Sequence, residues 1–337
     1  MIKLCFLRAF RATNFKKMKI RNLLHRATIS IVLTLFLAYF LLKQIRFESI
    51  FSLFGSINYS YLLLSFALSL LIVLARALRV KILLNGRKAD IKILFALVLE
   101  NNFLVNILPF RTGDLTFPLL INKYASISKK EGLLMLFYLR ILDMCTILLF
   151  LLAAALLFSN DVLYFTPALL LIVALMIFFV AMFFFKAERI LLLSIHFLHN
   201  KNKLKYADVL ENNLNKILAV YGFYRKTAFS IIFLSLVTFI VMILAMGAAL
   251  EAYPINLSYL NVIFFSLMII TITSLPINGI AGIGTVELGI AAFLTSAGVD
   301  KDLSISIAFN YHFITLMIMM ICAGLGHLYL SIRAREI

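Results

Sequence analysis

Long apolar runs alternate with short basic or polar stretches along the whole chain. A helix that crosses the hydrocarbon core of a bilayer needs about 20 apolar residues, because each residue advances it by about 1.5 Å. Six runs approach or exceed that length, at residues 27–42, 59–75, 133–158, 162–185, 227–250 and 303–332. The first is short, and Arg26 and Lys43 at its ends would extend toward the lipid head groups. The pattern predicts an all-α polytopic membrane protein with six full spans.

Two further apolar stretches, residues 91–124 and 260–297, are interrupted in the middle. The first stretch breaks at Pro109, after which the chain is polar for several residues. The second break contains one proline and three glycines, Pro276, Gly279, Gly282 and Gly284. Proline removes a backbone donor and glycine weakens a helix, and irregular backbone inside lipid is tolerated only where protein buries it or a cavity adjoins it. Both stretches are therefore predicted to be re-entrant hairpins of broken helices that line a site.

Basic side chains set the predicted orientation. They concentrate in residues 1–26, 76–88, 123–130 and 186–226. The positive-inside rule assigns all four stretches, including Arg76 and Arg79, to the cytoplasm. The first stretch is then a cytoplasmic arm, both termini are cytoplasmic, and the hairpins enter from opposite sides of the membrane. In the last stretch, helical apolar spacing predicts surface helices at residues 190–198 and 209–223.

The two halves of this layout form the same unit in opposite orientations. Residues 59–158 read as an inward span, a hairpin from the cytoplasm and an outward span, and residues 227–332 read as the reverse. Inverted-topology repeats with paired broken helices are typical of secondary transporters, which bind substrate near the bilayer midplane. A plainer alternative is that two Pro/Gly breaks arose independently in an ordinary bundle, since both residues are frequent in membrane helices.

Composition agrees with the membrane class and narrows the partners. Hydrophobic residues make up 64% of the chain, charged residues 14%, and the mean hydropathy is +1.05. Most of the formal net charge of +17 lies in loops, so it indicates anionic or zwitterionic lipid head groups rather than nucleic acid. The three scattered cysteines, Cys5, Cys145 and Cys322, predict neither a disulfide nor a metal site. No motif for a cofactor or for catalysis is visible.

Charged and polar residues within the apolar segments are the candidates for a binding site. A charge at mid-bilayer costs about 2.5–3.5 kcal/mol, so such side chains usually face a cavity or a partner. The candidates are Glu100, Asn106, Arg111, Asp114, Arg140, Asp143, Gly282, Gly284, Glu287 and His312. Arg140 suits a phosphate or carboxylate, and Glu287 suits a cation or a proton. We expect the partners of these two side chains in the opposite repeat.

Each candidate also has a structural explanation. Arg140 and Asp143 are three residues apart on one helix face and could simply neutralise each other. Glu100 and the neighbouring asparagines could bond the carbonyls that the first break leaves free. The glycines of the second break are needed for its turn whatever binds there, although free N–H groups at the start of a half-helix also bind phosphate. These alternatives remain open from the sequence.

Two motifs resemble a known family. The first reads NNFLVNILPFRTGD, followed by ISKKEGLLMLFYLRILD, and the second reads LPINGIAGIGTVELG. They resemble the flippase-like membrane domain of lysylphosphatidylglycerol synthases and their stand-alone relatives, so residues 27–337 are assigned to such a domain. The matching positions are Asn106, Pro109, Gly113, Arg140, Asp143, Pro276, Gly282, Gly284 and Glu287. Asp114 stands where we expect Glu, Phe117 lies near an expected Arg, and His312 replaces another Arg.

The resemblance implies an inner-membrane protein that moves or presents a lipid with a charged head group, either a phospholipid or a polyprenyl-phosphate-linked lipid. The chain ends at Ile337 without the soluble aminoacyltransferase domain of bifunctional relatives, so we expect no enzyme activity. A separate lipid-modifying enzyme and a second copy of the chain are candidate partners. The alternative function is a membrane enzyme or accessory subunit that acts on polyprenyl-linked sugars or aminoacylated lipids.

Cysteine labelling tests the predicted orientation. On a background without the three native cysteines, Ser128→Cys should react with an impermeant thiol reagent only from the cytoplasm, and Asp300→Cys only from outside. Labelling of position 128 from outside, or of position 300 only from inside, would overturn the layout.

Overall fold

The structure, a computed structural model, describes residues 53–84, 87, 89–157, 204–274 and 279–333. This part of the chain is helical and contains no strand. Its helices are α1 (Tyr59–Leu83), α2 (Ile91–Ile107), α3 (Phe117–Ala125), α4 (Lys129–Leu157), α5 (Leu204–Glu251), α6 (Tyr259–Ser274), α7 (Thr285–Ser296) and α8 (Lys301–Arg333). Short 3₁₀ segments, Pro109–Thr116 and Ile280–Gly282, precede α3 and α7.

Four helices are long and apolar enough to cross a membrane. They are Tyr59–Leu83, Lys129–Ala154, Lys226–Glu251 and Lys301–Arg333. These four coincide with four of the six predicted spans. The other two predicted spans, the cytoplasmic arm at residues 1–26, the surface helix at residues 190–198 and Pro276 lie outside the described residues.

Polar caps explain where several helices start, and proline explains where one ends. The Asn58 side chain accepts from Ser60 N at the start of α1, and Asp90 accepts from Lys92 N at the start of α2. Ser128 Oγ accepts from Glu131 N at the start of α4. Pro109 follows the end of α2, where it cannot continue the hydrogen-bond ladder.

α5 is longer than the sequence suggested. The stretch 209–223, predicted as a separate surface helix, is instead part of one continuous 48-residue helix. Gly222 is the only glycine or proline in that stretch, and one glycine costs a helix only about 1 kcal/mol, which is too little to end it. At 1.5 Å per residue, α5 is about twice as long as the hydrocarbon core is thick. Its amino-terminal half therefore extends beyond the apolar span.

α1 and α5 form an antiparallel pair that organises the rest of the fold. Asn58 N donates to Ala252 O at 2.8 Å, and Ser65 Oγ donates to Ala245 O at 2.7 Å. The start of α1 therefore lies beside the end of α5. The other helices pack around this pair.

The first hairpin, α2 and α3, packs at the carboxyl end of α1. Leu83 is 3% exposed there, and Leu94 and Ile121 from the hairpin are fully buried in the same cluster. Arg87 Nη2 lies 2.9 Å from Glu131 Oε1, and these two residues precede α2 and follow α3 respectively. The hairpin therefore begins and ends on one side of the molecule.

The second hairpin, α6 and α7, packs at the opposite end of the α1–α5 pair. Leu250 at the end of α5 shares an apolar cluster with Leu294 of α7 and Ile305 of α8. Burial raises the pKa of the Tyr253 hydroxyl, which donates to Asn310 Oδ1 at 2.9 Å. This hydrogen bond ties the start of the second hairpin to α8, which follows it.

The tips of the two hairpins meet between the spans. Arg111 Nη1, in the first tip, donates to Thr273 O near the end of α6 at 3.0 Å. In the same tip Gly113 lies against α2, where a Cβ on this residue would be only 2.2 Å from Leu104 O. The close approach of the 3₁₀ segment to α2 therefore depends on a residue without a side chain.

Gly113→Ala should destabilise the folded protein by about 1–3 kcal/mol, because the backbone of the tip must move away from α2. Circular dichroism of the detergent-solubilised protein during heating measures the change. Gly324→Ala is the matched control, because a Cβ there meets nothing within 4 Å and alanine favours a helix. An unchanged midpoint for Gly113→Ala would contradict the packing at the tip.

Candidate functional site

A cavity of about 350 Å³ lies between the spans, beside the meeting tips. α1, α2, α4, α5, α6 and α8 all contribute to its wall. Its polar lining includes Arg76, Arg79, Asn102, Asn106, Arg111, Arg140, Asp143, Thr146, Ser235, Thr238, Thr273, His312 and Thr315. Among the candidates predicted from the sequence, Asn106, Arg111, Arg140, Asp143, Gly282 and His312 line it. The cavity is small for a ligand site, since such sites measure about 300–1,000 Å³.

Five charged side chains form an alternating chain at this site. Asp143 accepts from Arg79 Nη1 at 2.5 Å and lies 3.6 Å from Arg140 Nη1. Arg140 Nη2 also donates to Asp114, whose other oxygen lies 3.5 Å from Arg111 Nε. The charges therefore run positive, negative, positive, negative, positive from α1 to the first tip.

The alternating chain shows how Arg140 and Asp143 are paired. The two residues do pair on one helix face, but the closest partner of Asp143 is Arg79, and Arg140 makes a shorter contact to Asp114. Their ion pair is one link of a larger network that joins two spans to a hairpin tip.

The prediction that the span starting at Tyr59 ends at residue 75, before Arg76 and Arg79, is wrong. α1 continues to Leu83, so both arginines lie on the helix, three residues apart, and both line the cavity. Arg79 is 3% exposed, and its Nη1 also donates to Ser235 Oγ at 2.9 Å. The useful signal was helical spacing, because Arg79 lies four residues before the buried Leu83 and three after Arg76 and therefore shares a helix face with both.

Arg76 adds a second connection between helices. Its Nη1 donates to Asn102 Oδ1 of α2 at 2.9 Å, and its Nη2 lies 3.8 Å from Met242 Sδ of α5. Neither partner carries a charge. Arg76 therefore contributes positive charge to the cavity wall without a carboxylate of its own among the described residues.

Glu287 is held within its own half of the chain, by the second tip and by α8. Its side chain is 5% exposed, and Oε2 accepts from Gly284 N at 2.7 Å, which caps the start of α7. Oε1 lies 2.7 Å from His312 Nδ1. The expectation that Arg140 and Glu287 find their partners in the opposite repeat is wrong, because both are bonded within their own halves of the chain. Among the arginines of the site, Arg79 and Arg111 do cross between the halves, because Arg79 bonds Ser235 and Arg111 bonds Thr273 O.

The second tip depends on left-handed glycines. Gly282 and Gly284 have φ values of +70° and +91°, which agrees with the turn role predicted for them. Gly279 does not share this role, because its φ of −70° is open to any residue. A Cβ on Gly282 would lie 2.9 Å from Val286 and 3.7 Å from His312 Cε1, so this turn packs against the imidazole that lines the cavity.

Glu100 and Asn106 have separate local roles. Glu100 Oε1 lies 3.3 Å from His327 Nδ1 of α8, which ties α2 to the last span outside the cavity lining. Asn106 Nδ2 donates to the Asn102 carbonyl at 2.8 Å. Asn106 thus bonds a carbonyl four residues back within α2 rather than one next to the break at Pro109, and Glu100 bonds His327.

The part of the chain that the structure describes contains no group of three His, Cys, Asp or Glu side chains placed to hold a metal ion. The site consists of paired ions, hydroxyls and amides facing an apolar wall. Such an arrangement can bind a charged group and orient it.

Comparison with known proteins gives one match. The family model described as the lysylphosphatidylglycerol synthase TM region matches residues 27–324. No curated protein and no solved structure matches the chain significantly.

Glu287→Ala should lower the free energy of unfolding by about 1–3 kcal/mol, because Gly284 N and His312 Nδ1 lose a buried acceptor. The thermal midpoint in detergent measures the loss. Glu251→Ala is the control, since Glu251 is exposed at the end of α5. Equal midpoints for the two variants would show that the Glu287 carboxylate does not hold the second tip.

Proposed function

Because the chain belongs to the lysylphosphatidylglycerol synthase family through its transmembrane region, we propose that it is a flippase-like membrane protein that translocates or presents a lipid with a charged head group. The observation that carries the proposal is the charged cavity enclosed by apolar spans where two broken hairpins meet. In this proposal Arg140, Asp143 and Arg111 face the head group, while Glu287 and Gly284 hold the second tip in position.

The packing supports an inverted-topology repeat of residues 59–158 and 227–332. α1 and α5, the first helices of the two halves, pair antiparallel, and each half places its hairpin at the carboxyl end of its own first helix. In a bilayer crossed by this pair, the hairpins enter from opposite sides. Each tip then bounds the cavity from one side, which is the geometry that alternating access requires.

The charges at the two ends support the orientation. Arg87, Lys129 and Lys130 lie where the first hairpin begins and ends, which assigns that end to the cytoplasm. Asp300 and Asp302 lie at the other end, beside the second hairpin. We therefore propose a multi-pass protein of the cell (inner) membrane with both termini in the cytoplasm.

The cavity lining suggests how a lipid would be handled. Guanidinium groups and hydroxyls on one part of the wall suit the oxygens of a head group. Phe66, Ile147, Phe239 and Ile270 are among the apolar residues on the rest of the wall, where the first carbons of the acyl chains would pack. Burial of the head group between spans removes the cost of carrying its charge through hydrocarbon.

A liposome assay tests the proposal. Purified protein reconstituted with a trace of fluorescent phospholipid should let a membrane-impermeant quencher reach more than the outer half of the label, with the lipid chemically unchanged. Arg140→Lys should reduce the rate about tenfold, because lysine keeps the charge but loses the planar fork.

Arg87→Lys is the matched control, since Arg87 pairs with Glu131 on the exposed surface away from the cavity and the rate should not change. Quenching limited to the outer half in the presence of folded protein would contradict the transport proposal. A covalently altered lipid would favour the enzymatic alternative.

A further inference from the structure

We infer that the ligand of this cavity is a lipid phosphate monoester and that Arg79 and Arg140 bind its phosphate. This inference rests on the proposed function and narrows it to one class of head group. Four features of the cavity support it: its net charge, its unpaired guanidinium donors, the pairing of its carboxylates with arginines, and its apolar wall.

The cavity wall has an excess of positive charge. The guanidiniums are those of Arg76, Arg79, Arg111 and Arg140, and the carboxylates bonded to them are those of Asp114 and Asp143. Among the residues that the structure describes, four positive and two negative groups leave a formal charge of +2. Glu287 does not line the cavity, and its carboxylate is occupied by His312 and by Gly284 N. A phosphate monoester carries about −1.5 to −2 near neutral pH, which matches the excess.

Two of the arginines have hydrogen-bond donors without a partner among the described residues. Nε of Arg79 and Nε of Arg140 are buried and have no hydrogen-bond partner among the described residues. The Arg79 side chain is 3% exposed, so bulk water does not satisfy it. Buried guanidinium donors are costly when unpaired, and a group with several anionic oxygens is the natural acceptor for them.

The two arginines are also arranged around one point. Both contact the same carboxylate, Arg79 through Oδ1 and Arg140 through Oδ2 of Asp143. They approach from different helices, α1 and α4, so an anion beside Asp143 can contact both at once. The hydroxyls of Thr146 and Thr238 on the same wall donate to carbonyls of their own helices, which leaves the guanidinium groups as the donors for an anion.

A cationic head group fits this wall poorly. An ammonium would approach four guanidiniums, and both oxygens of Asp143 already contact arginines. Asp114 is likewise divided between Arg140 and Arg111. The cavity therefore favours a net negative head group over an aminoacylated one.

The apolar part of the wall favours a lipid over free phosphate. Beyond the arginines, the lining consists of aliphatic, aromatic and methionine side chains, including Leu70, Met242, Ile269 and Met319. Inorganic phosphate would leave this surface without a partner, whereas the glycerol or prenyl carbons next to a phosphate monoester would cover it.

Equilibrium binding to the detergent-solubilised full chain tests the inference. Four dioctanoyl lipids differ only in the head group: phosphatidic acid, phosphatidylglycerol, phosphatidylcholine and lysylphosphatidylglycerol. A short polyprenyl phosphate and inorganic phosphate are the two further probes. Both phosphate monoesters should bind about tenfold or more tightly than phosphatidylglycerol, and the cationic lipid should bind weakest. A preference between the two monoesters identifies the lipid source.

Arg79→Gln should lower the affinity for phosphatidic acid about tenfold, while Arg87→Gln, the surface control, should leave it unchanged. If Arg79→Gln does not fold, the affinities of the wild-type protein for the lipid series still test the phosphate assignment. Equal affinity for all lipids, or tightest binding of the cationic lipid, overturns the phosphate assignment and leaves lipid handling intact. Binding of inorganic phosphate alone, or of no probe, overturns both proposals.

Discussion

The alternation of arginines and aspartates between the spans is the constraint on which the rest of the structure depends. Four guanidiniums placed among apolar helices would repel each other strongly in a low-dielectric region, and Asp114 and Asp143 reduce that repulsion. The links also fix geometry, because Arg79 joins α1 to α4 and α5 and Arg140 joins α4 to the first tip. Breaking such a pair leaves an uncompensated buried charge, so network members are coupled rather than independent.

The broken hairpins follow from the same region. Backbone that leaves the helical ladder inside an apolar environment needs protein around it. The first tip is covered by protein because Gly113 packs directly on α2. In the second tip, Glu287 caps α7 after two glycines in the left-handed conformation. The tips then meet through Arg111, and the space beside them is walled by spans on the other sides. The charged side chains and the interrupted helices therefore lie in the same region, and in a membrane protein such a region can bind a polar group.

Much of this arrangement was predictable from the sequence, because bilayer thickness, proline and glycine act locally. Such rules predict the four described spans, the break at Pro109 and the position of Arg140 beside a cavity. Arg79 was missed because the positive-inside rule ends a span at the first basic residues, whereas α1 continues and turns Arg79 inward. The Glu287 cap was missed because the residue three before it is a glycine instead of the usual Ser or Thr, and because its other partner is a distant imidazole.

The central claim is that a lipid head group occupies the cavity between the hairpin tips. Photo-crosslinking in reconstituted membranes tests it most directly, with a diazirine in the head group of a phosphate lipid and adducts mapped by mass spectrometry. The account predicts adducts on cavity residues near Thr146 and Ser235. Adducts confined to outward-facing residues such as Leu63 and Phe233, which are 67% and 58% exposed, would contradict it.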